Sequence, residues 1–134
     1  MQDRPTAREL LEAVRRFLED DVLPALDGPA RFHARVAANV LAIVGRELED
    51  EEPTLIAEWT RLATLLGLPS DAPPDRLVAL RTAVADLTEQ LCARIRRGDA
   101  DAPAFRAAVR AAVSASVAEK LAVANPRMRG AVTR

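Results

Sequence analysis

The chain has 134 residues, 49% apolar but only 3% aromatic, with a formal net charge of −1. That length suits one domain with a core that needs no metal or disulfide staple, and the apolar share excludes a disordered chain. The missing basic excess argues against a nucleic-acid binder, and scarce aromatics argue against sites that stack bases or sugars.

There is one cysteine, Cys92, so no internal disulfide can form and cysteine-based zinc sites are excluded. The opening "MQDRPTAREL" is charged and lacks an apolar signal core. No apolar run approaches the roughly 18 residues of a membrane span. The expectation is a soluble, cytoplasmic chain that binds neither membrane nor nucleic acid.

Proline and glycine divide the sequence into five segments with helical periodicity. The first starts at Thr6, where "TARE" is a capping box: Thr6 accepts a backbone N–H and Glu9 reaches back. Leu10, Leu11, Val14, Phe17, Leu18 and Val22 then recur at helical spacing, and Pro24 kinks or ends the run. "LDGP" at 26–29 is a turn. The second helix is expected over about 30–50, with Phe32, Val36, Val40, Ile43 and Val44 facing a core. Arg31, Arg35, Arg46 and Glu49 fall on the opposite side as a solvated stripe, with Asn39 at the boundary. His33 departs from this division, because it lies near the middle of the apolar face. Glu47 shares that arc, but about 21 Å further along the axis.

A third helix is expected over 53–66, with Pro53 at its first turn and Gly67 ending it. Leu55, Ile56, Trp59, Leu62, Ala63 and Leu66 form its apolar face. "GLPSDAPP" is a loop. The fourth helix, about 74–97, carries the stripe Leu77, Leu80, Val84, Leu87, Leu91 and Ile95 and stops at Gly98. The fifth begins after an Asp101 N-cap with Pro103 in its first turn. It runs to about 124, with Phe105, Val109, Val113, Val117 and Leu121 spaced four apart. The expected fold is all-α: a single-domain, largely antiparallel bundle of about five helices. It covers 1–134, with a core over 6–124 and a loose tail over 125–134.

Catalytic signals are sparse. Glycine-rich phosphate loops, a Gly-x-Ser-x-Gly elbow and Glu-x-x-His pairs are all missing from the sequence. His33, the only histidine, is the one natural general acid or base. The plainer and preferred reading is a half-buried residue bonded to a backbone carbonyl or to Asp20 or Asp21. Cys92 sits on the flank of its stripe, one turn from Arg96, as a reactive thiol or a packed small residue. Arg31, Arg35 and Arg46 suit an anionic partner or plain solvent. Arg94, Arg96 and Arg97 suit the negative end of a helix dipole. Trp59 reads as core or as a binding anchor. No catalytic residue, cofactor or metal is expected.

Three stretches together carry a family resemblance: "DRPTARELLEAVRRFLEDDVLPAL", "RFHARVAANVLAIVGREL" and "EKLAVANPR". They resemble a bacterial family of small all-helical proteins catalogued as a domain of unknown function. The residues that carry it are Arg31, Phe32, His33, Arg35, Asn39, Asn125, Pro126 and Arg127. The resemblance implies a gene encoded beside aminoglycoside-phosphotransferase-like kinases acting on hydroxyacyl-CoA and beside acyl-CoA dehydrogenase-like enzymes. It implies a non-catalytic accessory subunit of such a kinase. Arg31, His33, Arg35, Asn39, Asn125, Pro126 and Arg127 are then expected at, or behind, a partner interface. The competing expectation is a helical ligand-binding or homo-oligomeric protein that recognises an acyl-CoA or another phosphorylated metabolite.

Overall fold

The computed structural model describes residues 4–69 and 72–128. It is all-α. Four α-helices longer than one turn occur among the described residues: α1 (Ala7–Phe17), α2 (Gly28–Leu66), α3 (Leu77–Arg96) and α4 (Pro103–Ala124). None of them is long and apolar enough to cross a membrane. The chain divides into two compact units, Met1–Asp50 and Glu51–Arg134, and the boundary falls inside α2.

The structure has four such helices among the described residues where about five were expected. Pro53 opens no new helix; α2 runs uninterrupted through it. A proline inside a helix removes one N–H donor and crowds the carbonyl four residues back, here Glu49, at a cost of about 3 kcal/mol. The flanking turns carry that cost, so the sequence signal "EEP" marks a weak point rather than an end.

Pro24 acts differently. After Phe17 the helix widens into a π-helical turn, Leu18–Val22, before a last short α-helical piece, Leu23–Ala25. The Leu23 N–H donates to the Leu18 carbonyl five residues back. The wider turn relieves the clash that Pro24 would make with the Asp20 carbonyl in a regular α-helix. The Thr6 capping box is present: Glu9 N–H donates to Thr6 Oγ1 (3.3 Å) and Thr6 N–H donates to Glu9 Oε2 (2.7 Å).

The main core lies in the second unit. Leu80, Val84, Leu87 and Leu91 of α3 pack with Leu62 and Ala63 of α2, and Leu55, Trp59, Leu66, Phe105 and Val109 close around them. The α3 positions alternate steps of four and three, which keeps them on one face of the helix. The end of α2 is a Schellman cap: Leu68 N–H bonds the Ala63 carbonyl (3.0 Å) and Gly67 N–H bonds Thr64 (3.1 Å). Gly67 takes φ +72°, a conformation an L side chain resists.

One helix pair departs from antiparallel packing. Arg81 near the start of α3 pairs with Glu51 (Nε–Oε1 2.6 Å), and Arg94 near its end reaches the Leu66 carbonyl (3.5 Å). The second half of α2 and α3 therefore run parallel. The connection 67–76 must return the chain by about 22 Å, the rise of a 15-residue helix. Ten residues can span roughly 33 Å when extended. α3 starts at Leu77 instead of near Pro74, after an Arg76 N-cap with extended backbone (φ −99°, ψ 127°).

The N-cap of α4 is Ala102, with no side-chain hydrogen bond. Asp101, the expected cap, sits one residue early in a 3-10 turn, Asp99–Asp101. Its carbonyl accepts from Arg106 Nη2 (2.8 Å). Pro126–Met128 forms another 3-10 turn, and the rest of the expected tail, 129–134, lies outside the described residues.

Candidate interaction surface

In the first unit, α1 and the first half of α2 form an antiparallel hairpin. Arg8 Nη1 donates to Glu49 Oε1 across it (2.6 Å). The sides that face each other line a groove of about 270 Å³, formed by Leu11, Glu12, Arg15, Leu41, Ala42, Gly45, Arg46 and the Arg8–Glu49 pair. Its charges are largely matched. Arg15 donates to both Glu12 oxygens (2.8 and 2.7 Å) and to Glu19 (2.5 Å), and Arg16 adds a bond to Glu12 (3.0 Å). Hydrogen bonds from Arg15 and then Arg16 pull the Glu12 carboxyl from the ordinary 4.5 down to about 2, and raise the Arg15 guanidinium.

The groove defines which side of α2 faces its neighbour. Ala38 is the one buried apolar residue among the described residues of this unit. At about 100° per residue, Ala34, Ala42, Gly45 and Glu49 all lie within about 40° of it. Small side chains on this stripe let α1 come close.

The expected orientation of this helix is therefore reversed. Phe32, Val36 and Val40 lie about 120–200° from Ala38 and face solvent. Ile43 and Val44 are half-buried. Arg46 and Glu49, expected on the solvated side, line the groove. Leu10, Val14 and Phe17 of α1 are left out of its packing in the same way. Together these six large apolar side chains keep between 44% and 63% of their surface exposed.

The residues singled out from the sequence divide between the two units. Arg31, His33, Arg35 and Asn39 are all exposed on α2 in the first. Arg31 and Arg35 fall on Ala38's side near the turn, whereas His33 falls on the apolar face, as its spacing indicates. The His33 ring meets Phe32 edge-on, with centroids 5.6 Å apart. Asn125, Pro126 and Arg127 are exposed at the end of α4 in the second unit. Cys92 is a half-buried free thiol and Trp59 packs against the core.

A polar network in the second unit has no counterpart in the sequence reading. Arg61 of α2 forks onto Glu119 of α4 (3.0 and 2.7 Å), while Ser116 donates to Glu58 (2.9 Å). A bidentate fork of this kind fixes the approach of two helices. At the other end Arg94 bonds Asp99 (2.7 Å) and covers the Phe105 ring at 4.4 Å. The Arg94 hydrogen bond holds the Asp99 carboxyl below its ordinary range. Only the local spacing of Arg94 and Asp99 could have signalled either arrangement. No group of three His, Cys, Asp or Glu residues that could hold a metal ion occurs among the described residues.

Residues 24–128 match the family model described as a domain of unknown function, DUF6285. The chain belongs to that family. The match takes in α2, α3 and α4, including the stretch "RFHARVAANVLAIVGREL". No curated protein and no solved structure matches the DUF6285 chain.

Proposed function

We propose that this DUF6285 protein is a non-catalytic accessory subunit of the bacterial cytoplasm. It binds, and stabilises or activates, a phosphotransferase-like kinase that acts on hydroxyacyl-CoA substrates. One observation carries the interaction reading: α1 holds the large apolar side chains of Leu10, Val14 and Phe17 in solvent. Contiguous apolar surface of that kind marks an interaction site. The kinase itself enters through the resemblance of the three quoted stretches. On α1, Leu10, Val14 and Phe17 stand at i, i+4 and i+7, the anchor spacing of a helix that docks in a partner's groove. The exposed guanidiniums of Arg31 and Arg35 supply a charged rim that steers and orients an acidic partner surface.

A bundle that held an acyl-CoA would need uncommitted positive charge around a cavity. The groove of the first unit offers less of it than its arginines suggest, since Arg8 and Arg15 are already bonded to Glu49, Glu12 and Glu19.

The reading is tested by purifying the tagged chain from its host and identifying what accompanies it. A stoichiometric kinase, lost on Phe17→Glu while helical circular dichroism is retained, supports the proposal. A chain recovered without kinase after gentle, low-salt lysis sinks it. Heat on titrating the isolated chain with CoA esters would favour the ligand-binding alternative instead.

A further inference from the structure

We infer that the face of α2 turned away from α1 is a homodimer interface, on which a second copy of this chain packs with its α2 antiparallel. The seam is Pro29, His33, Val36, Val40, Ile43 and Glu47. Its steps are four, three, four, three and four residues, the a/d spacing that keeps two helices in contact along their length. It extends for about 27 Å. Phe32 and Leu48 flank it and are more than half exposed.

The two ends of the seam choose the partner and its direction. An imidazole stands near the N-terminal end and a carboxylate near the C-terminal end, about 21 Å apart. Only apolar positions lie between them on the seam. Both side chains are exposed, and neither makes a hydrogen bond or ion pair to another described residue. Within one straight helix they cannot meet. In an antiparallel pair, the His33 end of each copy lies against the Glu47 end of the other, twice per dimer. Parallel packing would set imidazole on imidazole and carboxylate on carboxylate. A two-fold arrangement thus matches apolar centre to apolar centre and imidazole donor to carboxylate acceptor with a single sequence, as an isologous interface requires. This surface is separate from the α1 anchors assigned to the kinase, so either proposal can fail alone.

Sedimentation equilibrium of the full chain tests it. The wild-type chain is expected to be dimeric at tens of micromolar. Val40→Glu, placed at an exposed position, is expected to be monomeric with unchanged helical circular dichroism. His33→Glu sets two carboxylates at each end of the seam and should weaken the dimer about tenfold. Adding Glu47→Lys to that variant should restore the affinity to within about threefold. A monomeric wild-type chain overturns the inference, as does a Val40→Glu dimer of wild-type affinity. Failure of the double charge exchange to rescue His33→Glu overturns the antiparallel arrangement. Phe17→Glu should remain a dimer, which separates this interface from the kinase surface.

Discussion

The two units solve helix packing with opposite chemistries. The second buries branched side chains on three helices, with Leu80 only 1% exposed. The first joins its two helices through alanines, a glycine and the Arg8–Glu49 pair, carries the Arg15 and Arg16 bonds to Glu12 and Glu19 within one helical run, and leaves its large apolar groups outside. Burying a leucine side chain contributes about 1.5–3 kcal/mol, whereas an exposed ion pair contributes about 0–1 kcal/mol. Stability is therefore concentrated in the second unit. The first is held more weakly by its own contacts, which suits the proposed association through its exposed apolar side chains.

The sharpest way to break this comparison is to empty the leucine core. Leu80→Ala should destabilise the chain by about 2–5 kcal/mol, the usual cost of the lost burial and the cavity left behind. Denaturant titration reads it directly. A loss below about 1 kcal/mol would mean that the core is not where the stability lies. Next comes the small-residue seam of the first unit. Ala38→Leu adds three carbons at a buried position and should cost about 1–3 kcal/mol by overpacking. A neutral result would show that α1 does not pack closely there. Hydrogen exchange tests both units in one experiment. Amides of α3 from Leu80 to Leu91 should exchange through global unfolding, and those of α1 through cheaper local opening. Equal protection of α1 and α3 would abolish the distinction.

Much of this fold is legible in the sequence, and the failures share a cause. The α3 stripe reads correctly from Leu80 to Leu91, where its steps alternate between four and three, whereas a second step of four carries Ile95 off the face and leaves it exposed. The expected stripe on α4 steps by four throughout, and each such step turns about 40° around a helix. By Val113 and Val117 the row has wound off the core, and both side chains are exposed while Ala112 takes the buried position. Phe32, Val36 and Val40 mislead in another way. They form a true apolar face, but periodicity does not reveal that α1 prefers the alanine side. Seven candidate interface residues are all exposed on described helices or turns. The sequence does not place four of them in one unit and three in the other, because that division rests on tertiary contacts that leave no local pattern. Long-range pairs such as Arg8–Glu49 and Arg61–Glu119 leave no local trace at all.

Local signals support a smaller prediction. Thr6→Ala removes the acceptor of the capping box and should cost about 1 kcal/mol, felt in α1. Amide exchange should speed up in the first turns of α1 and stay unchanged in α3. Acceleration spread evenly over both units would mean that they unfold as one, and the comparison drawn above would not hold.

The smallest effect is electrostatic. The Glu12 carboxyl is held at about 2 in the folded chain against an ordinary 4.5, by bonds from Arg15 and Arg16. A depressed folded value means that its contribution is complete above 4.5 and is lost as pH falls towards 2. Asp99 in the second unit follows the same direction through Arg94. Both carboxylates are partly exposed, so solvent screens each contribution. The titration itself is the better observable than stability. Carbon-detected NMR of the Glu12 side chain should give a midpoint near 2, and Arg15→Ala should raise it towards 4.5. A Glu12 midpoint already near 4.5 in the folded chain would show the arginine lattice unformed in solution. The contacts across the hairpin, its alanine seam and Arg8–Glu49, would stand apart from that result, because Arg15 and Arg16 bond Glu12 within α1.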